Sequence, residues 1–302
     1  MLNAQWNVAE AVEPGRADSI NLVDRIHDMT GALPQIQLMY EENFALLWIV
    51  MRPEPKPVFT LPLVDSVRKV QRALAQLLDG DDCPPLSFLA FRTAGPVFSL
   101  GGDLDFYLEC LANNDRAGLE EYAQVASDVI VGNYTGLGGR VTTIAAVHAR
   151  ALGGGIDPAR ACHIMIAEES ASFCYPEVNY NHFPIAAVPV LARRAGRLEA
   201  ERILLSGATF SAEEFRQRGV VDEVVPDGGS AAWVRKYAKD TAASRRARIS
   251  ISLAFNAMSA DLESQLAASS ALWVEHMLSL EIPEVSKLKR IVTAQERMLA
   301  RL

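Results

Sequence analysis

Apolar and polar residues along this chain follow the pattern of an α/β protein. The apolar run at residues 45–51 predicts a buried strand, and a proline-rich loop follows at residues 53–57. Beyond that loop, apolar residues recur at helical spacing and predict one buried helix face, made by Val67, Val70, Leu74 and Leu77. A strand that feeds an amphipathic helix is the repeating unit of an α/β fold.

The same alternation continues through the middle of the chain. Further strands are predicted at residues 87–91, 141–148 and 163–167, and helices at residues 103–111 and 117–131. Residues 136–141, Gly-Leu-Gly-Gly-Arg-Val, begin like a dinucleotide-binding fingerprint, but they lack its last glycine and precede a strand, so they are interpreted as a loop. Residues 220–225 end the core, and the rest of the chain is predicted to be helical.

These patterns divide the chain into three parts. Residues 1–33 show weak patterning and are expected to be an N-terminal extension that is partly disordered. Residues 34–229 form the predicted α/β core, and Asp-Gly-Gly-Ser at residues 227–230 is the best linker. Residues 230–302 form a predicted helical C-terminal region.

Composition and charge narrow the class of protein. The chain has 302 residues, half of them hydrophobic, which is ample for a buried core. No segment approaches the 18 or so uninterrupted apolar residues of a membrane span. The formal net charge of -8 argues against a nucleic-acid-binding protein. We therefore expect a globular protein that binds neither nucleic acid nor membrane.

The cysteines and the first residues bear on the compartment. The four cysteines are far apart in sequence and lack metal-ligand spacing, which indicates free thiols, and no metal site is predicted. The first thirty residues have no basic segment followed by an apolar one, as a signal peptide would. A cytoplasmic location is the resulting expectation.

Two arginine clusters stand out against the acidic background. One comprises Arg193, Arg194 and Arg197, and the other Arg245, Arg246 and Arg248. Either cluster could meet an anionic substrate handle, such as a phosphate-bearing carrier or an acidic carrier protein. The alternative is that these arginines lie on solvated helix faces.

The most informative segment is Ala-Leu-Gly-Gly-Gly-Ile-Asp at residues 151–157. Its three glycines follow an apolar strand and precede a helix, so bare backbone N–H groups lie beside a helix N-terminus. A second glycine turn, Ser-Leu-Gly-Gly-Asp-Leu at residues 99–104, precedes another helix, for which Asp103 is a natural N-cap. Two amide donors from two such turns predict an oxyanion hole.

These turns, in this order and followed by Tyr-Pro-Glu-Val at residues 175–178, resemble the crotonase (enoyl-CoA hydratase/isomerase) superfamily. Residues 98–104, 115–124, 167–169 and 273–275 look more particularly like its diffusible-signal-factor synthase branch. The resemblance covers roughly residues 34 to 302. It implies a spiral of ββα units with C-terminal helices at a trimer interface, and so a homotrimer or homohexamer.

The resemblance also implies a chemistry. Crotonases bind an acyl thioester of coenzyme A or of acyl carrier protein, and the oxyanion hole holds the thioester oxygen without a cofactor. The backbone amides at the matching positions here are those of Gly154 and of either Leu100 or Gly101. The signal-factor synthases use two glutamates to dehydrate a 3-hydroxyacyl thioester to a cis-2-enoyl product, which they then hydrolyse to the free acid. Glu177 matches the second glutamate and is assigned as an acid/base.

Asp157 takes the position of the first glutamate, and Pro158 follows it. Two interpretations stay open. Asp157 could be the second catalytic carboxylate, or it could be a helix N-cap before a proline at the first helical position. A further departure lies at residues 183–187, Phe-Pro-Ile-Ala-Ala, where the branch has glycines, so side chains there are expected to narrow or reshape the pocket.

Two more residues are assigned to substrate binding. His182 comes five residues after Glu177 in a segment that the family places at the pocket, and Trp273 lies in one of the shared motifs. His148 and His163 lie in apolar strands and are interpreted as hydrogen-bonded core residues, whereas His276 has no evident partner. Ser99 lacks the spacing of a nucleophile elbow.

The sequence thus predicts an acyl-thioester enzyme that resembles the signal-factor synthases. Two alternatives remain: an enoyl-CoA hydratase or isomerase with another substrate, and a degenerate crotonase that binds acyl groups without turning them over. The two glycine turns and Glu177 favour an enzyme, whereas the change at Asp157 favours the alternatives.

Overall fold

The computed structural model describes residues 22–80 and 83–300. Of the extension expected at residues 1–33, residues 1–21 lie outside this described part. The remainder contains helix α1 (Leu22–Thr30), whose Leu22 and Ile26 are fully buried in the main hydrophobic core. From residue 22 onward, therefore, the chain packs against the domain.

A six-stranded sheet forms the centre of the described part. Its order is β1-β2-β3-β4-β6-β9, and β1 is antiparallel to β2 while the other neighbours are parallel. A smaller sheet has the order β5-β7-β8. The strands are β1 (Ile36–Glu41), β2 (Leu46–Met51), β3 (Phe88–Thr93), β4 (Thr142–Val147), β5 (Arg150–Leu152), β6 (Ile164–Glu168), β7 (Ser172–Cys174), β8 (Thr209–Ser211) and β9 (Glu223–Val225).

Helices follow most of the strands and cover the main sheet. They are α2 (Leu61–Asp79), α3 (Leu104–Asn113), α4 (Arg116–Gly139), α5 (Asp157–Ala161), α6 (Ala187–Ala195), α7 (Arg197–Ser206), α8 (Ala212–Gln217), α9 (Ser230–Thr241), α10 (Arg245–Met258), α11 (Leu262–Leu278) and α12 (Ile282–Leu299). This mixed α/β crotonase-like fold, with a helical C-terminal region, agrees with the predicted class.

Local sequence accounts for several of these elements. Helix α2 begins where the Thr60 hydroxyl accepts a hydrogen bond from the Leu63 N–H, and the four apolar residues predicted on its inner face are all buried. Near the end of α4 the backbone at Gly136, Leu137 and Gly138 is left-handed, with φ of 61°, 55° and 73°. This break confirms that residues 136–141 leave the regular helix, and it directs the chain into β4.

The short second sheet was not predicted, because a three-residue strand is too short for alternation to be visible in sequence. It nevertheless positions the candidate site. Strand β5 leads directly into the triple-glycine turn, and β7 ends just before Tyr175 and Glu177. Their parallel pairing, Arg150 to Leu152 against Ser172 to Cys174, brings these two segments side by side.

The C-terminal helices differ in how they are buried. Helix α11 packs against α4 and buries Trp273 and Met277, while Leu272 stays 62% exposed. Helix α10 has no buried residue. Within residues 22–80 and 83–300, no helix combines the length and apolar character needed to cross a bilayer.

Candidate active site

The two glycine turns lie in contact, as the sequence predicted. Ser99 and Ala151 form a parallel bridge, and the Leu152 N–H donates to the Ser99 carbonyl at 3.0 Å. A Cβ atom at Gly155 would lie 2.4 Å from Ser99 Oγ, so glycine is required there for the turns to approach.

In the first turn, the candidate amides differ in availability. The Leu100 N–H donates to the Pro57 carbonyl at 2.7 Å, so it is already used by the backbone. The Gly101 N–H donates to a side chain, Ser99 Oγ, at the longer distance of 3.1 Å. The geometry therefore favours Gly101 over Leu100 as a donor to a ligand.

In the second turn, the amide that was predicted to bind a ligand oxyanion binds a carboxyl group of the protein. The Gly154 N–H donates to Glu177 Oε1 at 3.0 Å. Gly153 has φ of 51°, and a Cβ there would lie 2.1 Å from the same oxygen, whereas a Cβ at Gly154 meets nothing closer than 3.9 Å. The carboxylate thus occupies the position where an oxyanion would bind.

Glu177 begins a short 3-10 turn (Glu177–Tyr180) and is 5% exposed. Its second oxygen, Oε2, is buried without a hydrogen-bond partner among the described residues. Burial raises the pKa of Glu177 to about 7, against the lowering effect of backbone N–H donors that include Gly154. A carboxyl group with this pKa can both donate and accept a proton near neutral pH.

Asp157 is 2% exposed, and its side chain makes no capping hydrogen bond to α5. The N-cap interpretation of Asp157 is therefore wrong: the cap position belongs to Ile156. Instead, the Tyr175 hydroxyl donates to Asp157 Oδ1 at 2.8 Å. Burial, together with the charge of Glu177, raises the pKa of Asp157 well above its usual range despite that hydrogen bond.

The two carboxyl groups lie in one mostly apolar cavity of about 280 Å³. Helices α2 and α4, strand β3 and helix α12 contribute aliphatic and aromatic side chains to its walls. Gly101, Gly154, His182 and Trp273 also line it, so the cavity collects the residues proposed from sequence. Pro184, Ile185 and Ala186 line it too, where the chain departs from the branch.

His182 and Trp273 meet at the cavity wall. The Trp273 indole Nε1–H donates to His182 Nε2 at 3.3 Å, and the two rings lie 6.0 Å apart. Trp273 also packs edge-on against Tyr107 and is stacked with Tyr122. His276 does have partners: its ring stacks on His182, and its Nε2 lies 2.7 Å from the Asn181 carbonyl.

Three tyrosines of the site were missed by sequence reasoning. Tyr175 contacts Asp157, and the Tyr122 hydroxyl donates to the Phe59 carbonyl at 2.7 Å. A Cβ at Gly102 would lie 2.1 Å from the Tyr107 hydroxyl oxygen, so that glycine makes room for the tyrosine. The available signal was their place in the motifs: Tyr107 follows the first glycine turn by one helical turn, and Tyr175 precedes Glu177 by two residues.

The remaining histidine and arginine candidates take structural roles. His163 accepts a hydrogen bond from the Thr143 N–H at 3.1 Å, and His148 Nε2 lies 2.9 Å from the Gly95 carbonyl, which confirms that both are hydrogen-bonded. Most of the clustered arginines have partners within the chain. These pairs are Arg193 with Asp261, Arg197 with Glu201, Arg194 with the Cys162 carbonyl, Arg245 with the Leu86 carbonyl and Arg248 with Tyr237. These partners within the chain account for the arginines without an anion site, although Arg193 and Arg194 are half-buried and do not lie on a solvated face.

A profile of the family described as enoyl-CoA hydratase/isomerase matches residues 92–297, more than half of the chain. The chain belongs to this family. Both glycine turns and both carboxyl residues lie within the matched residues, so family membership and site geometry involve the same part of the fold. It also means that the chain is a crotonase-fold enzyme.

Individual relatives agree with the family. The chain is 32% identical over 214 residues to the mevalonyl-coenzyme A hydratase SIDH of Beauveria bassiana, covering 68% of this chain and 69% of that protein. An enoyl-CoA hydratase structure from Bacillus halodurans superposes with a TM-score of 0.73 at 21% identity, over 84% of this chain and 98% of the other. The structure of DspI from Pseudomonas aeruginosa gives 0.58 at 23% identity, over 72% and 79%. The two structural matches show a shared fold.

Proposed function

We propose that this enzyme interconverts a 2-enoyl thioester and a 3-hydroxyacyl thioester by addition or elimination of water. One observation carries the proposal: two carboxyl groups, Asp157 and Glu177, lie buried in the same apolar cavity beside the Gly154 N–H. Hydration delivers a hydroxyl group to C3 and a proton to C2, and dehydration reverses both. Each direction needs a proton donor and a proton acceptor, which two such groups can supply.

Burial makes both carboxyl groups weaker acids than they would be in water. It raises the pKa of Asp157 well above its usual range, and the charge of Glu177 acts in the same direction. Glu177, with a pKa of about 7, is present partly as the carboxylate. Two carboxyl groups with perturbed pKa values in one cavity are a common basis for acid and base roles in one site.

The glycine turns supply the electrostatic part of the mechanism. Charge that develops on the thioester oxygen during reaction at C2 would be stabilised by the amides of Gly154 and Gly101. For this to happen, Glu177 Oε1 must leave the Gly154 N–H when substrate binds. The thioester oxygen then replaces Glu177 Oε1 as the acceptor of the Gly154 N–H, and Glu177 is free for proton transfer.

The apolar cavity and the family support an acyl thioester of coenzyme A as substrate. The relative at 32% identity is named a mevalonyl-coenzyme A hydratase, which fits a coenzyme A carrier. The motif resemblance to the signal-factor synthases supports a second candidate: dehydration of a 3-hydroxyacyl carrier-protein thioester followed by hydrolysis to the free 2-enoic acid. Hydrolysis adds one water molecule across the thioester and releases the carrier thiol, so the two candidates give different products.

One experiment separates these candidates. The purified enzyme is incubated with 3-hydroxyacyl and 2-enoyl thioesters of coenzyme A and of acyl carrier protein. Mass spectrometry then follows the gain or loss of water, and a thiol reagent follows the released carrier. Interconversion without thiol release supports the hydratase, and release that depends on prior dehydration supports the second candidate. Absence of turnover with every thioester, at all chain lengths tried, would refute both.

A homotrimer, or a dimer of trimers, is proposed for the assembly. Helix α10 supports it, because Ile251, Phe255 and Met258 lie on one face and are 56%, 62% and 81% exposed. The largest apolar side chains of α11, Trp273 and Met277, are instead buried within the same chain. Sedimentation of the wild type should give a trimer or hexamer, and Phe255→Glu should dissociate it. A monomeric wild type at micromolar concentration would refute the assembly. The cytoplasmic location stays a prediction.

A further inference from the structure

His182 carries a buried polar atom to which the mechanism above assigns no role. The imidazole is 9% exposed and lines the same cavity as Glu177. Its Nδ1 is buried and has no hydrogen-bond partner in residues 22–80 and 83–300. A buried polar atom without a partner is costly, and in a binding cavity it indicates that a ligand supplies the missing contact.

The contact with Trp273 determines whether His182 Nδ1 is a hydrogen-bond donor or an acceptor. An indole nitrogen can only donate, so His182 Nε2, 3.3 Å from Trp273 Nε1, must be the acceptor and carries no proton. The neutral imidazole then has its proton on Nδ1. The hydrogen-bond network therefore assigns the unpartnered Nδ1 as a donor.

The surroundings of His182 keep the ring uncharged. Burial lowers its pKa to about 3, and the His276 ring stacked against it, 5.8 Å away, acts in the same direction. At neutral pH the imidazole is uncharged, so it does not act as an imidazolium acid. Its role is to offer one N–H with a fixed orientation.

The backbones of His182 and Glu177 are joined by one short turn. The short turn Glu177–Tyr180 ends at Asn181, whose left-handed φ of 56° turns the chain back. As a result, the His182 N–H donates to the Glu177 carbonyl at 3.0 Å. One turn thus carries both the candidate acid/base and the residue with the unpartnered donor, and both residues line the cavity.

We propose that the His182 Nδ1–H binds the oxygen at C3 of the acyl group, so that the cavity prefers 3-oxygenated acyl groups to plain acyl groups. This inference rests on the proposed function. The thioester oxygen already has donors in the glycine turns, so C3 carries the remaining oxygen of a 3-hydroxyacyl group. Trp273 acts as a positioning residue, because it holds the tautomer that makes Nδ1 a donor.

Binding of unreactive probes tests the proposal without turnover. The probes are coenzyme A and pantetheine thioethers with 3-hydroxyalkyl or plain alkyl chains of four to eight carbons, which lack the thioester carbonyl. Calorimetry should show that the wild type binds the hydroxylated probe about tenfold more tightly at the best chain length, as one added hydrogen bond to a buried donor predicts. His182→Leu should remove this preference by weakening only the hydroxylated probe. His182→Asn, whose carboxamide N–H can replace Nδ1–H, should retain part of it.

The tautomer gives a readout that does not depend on ligands. Nitrogen-15 NMR at neutral pH should show His182 protonated at Nδ1 and unprotonated at Nε2, and Trp273→Phe should mix the two tautomers. Circular dichroism checks that each variant is folded. Equal affinity of the wild type for both probes, an unchanged preference in His182→Leu, or a proton on Nε2 would overturn this inference alone. Failure of every probe to bind, combined with absence of turnover of every thioester, would overturn the proposed function and this inference with it.

Discussion

Replacing Glu177 by glutamine should separate its role in catalysis from its effect on stability. The substitution keeps the shape of the side chain and leaves an oxygen that can accept the Gly154 hydrogen bond. It removes the proton that the carboxyl group transfers. We expect the turnover rate to fall at least ~100-fold, the lower range for loss of a general acid or base, while affinity for the thioester changes little.

The same substitution should change how stability depends on pH. Burial raises the pKa of Glu177 from 4.5 to about 7 in the folded state, so the folded protein holds this proton more tightly than the unfolded chain does. The stabilisation is fully present below pH 4.5 and is lost as the pH rises through about 7. From the shift, this loss amounts to about 3 kcal/mol of unfolding free energy between about pH 4.5 and pH 8.5.

Denaturant unfolding across that pH range measures the effect. The unfolding free energy of the wild type should fall more steeply with rising pH than that of Glu177→Gln, by about 3 kcal/mol over the whole range. Glu121→Gln, at an exposed position on α4, is the matched control and should follow the wild type in both stability and rate. Parallel stability profiles for the wild type and Glu177→Gln would refute the raised pKa. Near-normal turnover by Glu177→Gln would refute its role as acid/base.

Four further substitutions probe the rest of the site. Asp157→Asn keeps an acceptor for the Tyr175 hydroxyl but removes the proton, so it should fold normally and lose at least ~100-fold in rate; an active variant would leave Glu177 as the sole catalytic carboxylate. Tyr175→Phe removes a hydrogen bond that favours the charged form of Asp157, so the pKa of Asp157 should rise further. The alkaline limb of the pH–rate profile should then move to higher pH. A limb at the same pH as in the wild type would contradict this. Gly153→Ala should cost about 1–3 kcal/mol of stability, because Gly153 has a positive φ and the Glu177 oxygen lies close to it. Gly154→Ala should change stability by less than about 0.5 kcal/mol. It should instead reduce the rate about tenfold, because the added methyl group crowds the thioester. Equal unfolding midpoints for the two alanine variants would refute this account of the turn.

The match between sequence and structure is closest where the signal is local. Apolar spacing located the inner face of α2, strands β3 and β4 of the main sheet, and the helical C-terminal region. The glycine turns were recognised because a residue without Cβ is needed wherever two backbones approach closely, as Gly155 does at Ser99. These features depend on neighbouring residues, so they can be read along the chain.

Tertiary structure decided which groups meet. The motif spacing could not show that the Leu100 amide is used by Pro57, that Glu177 accepts from Gly154, or that Asp157 bonds Tyr175 instead of capping a helix. The sequence by itself determined the residue types and the turns that carry them. Only packing brought partners from distant segments within hydrogen-bond distance and excluded water from them. Because hydrogen-bond partners and burial set the pKa of a carboxyl group and the tautomer of a histidine, the chemistry of this site was decided by the folded chain.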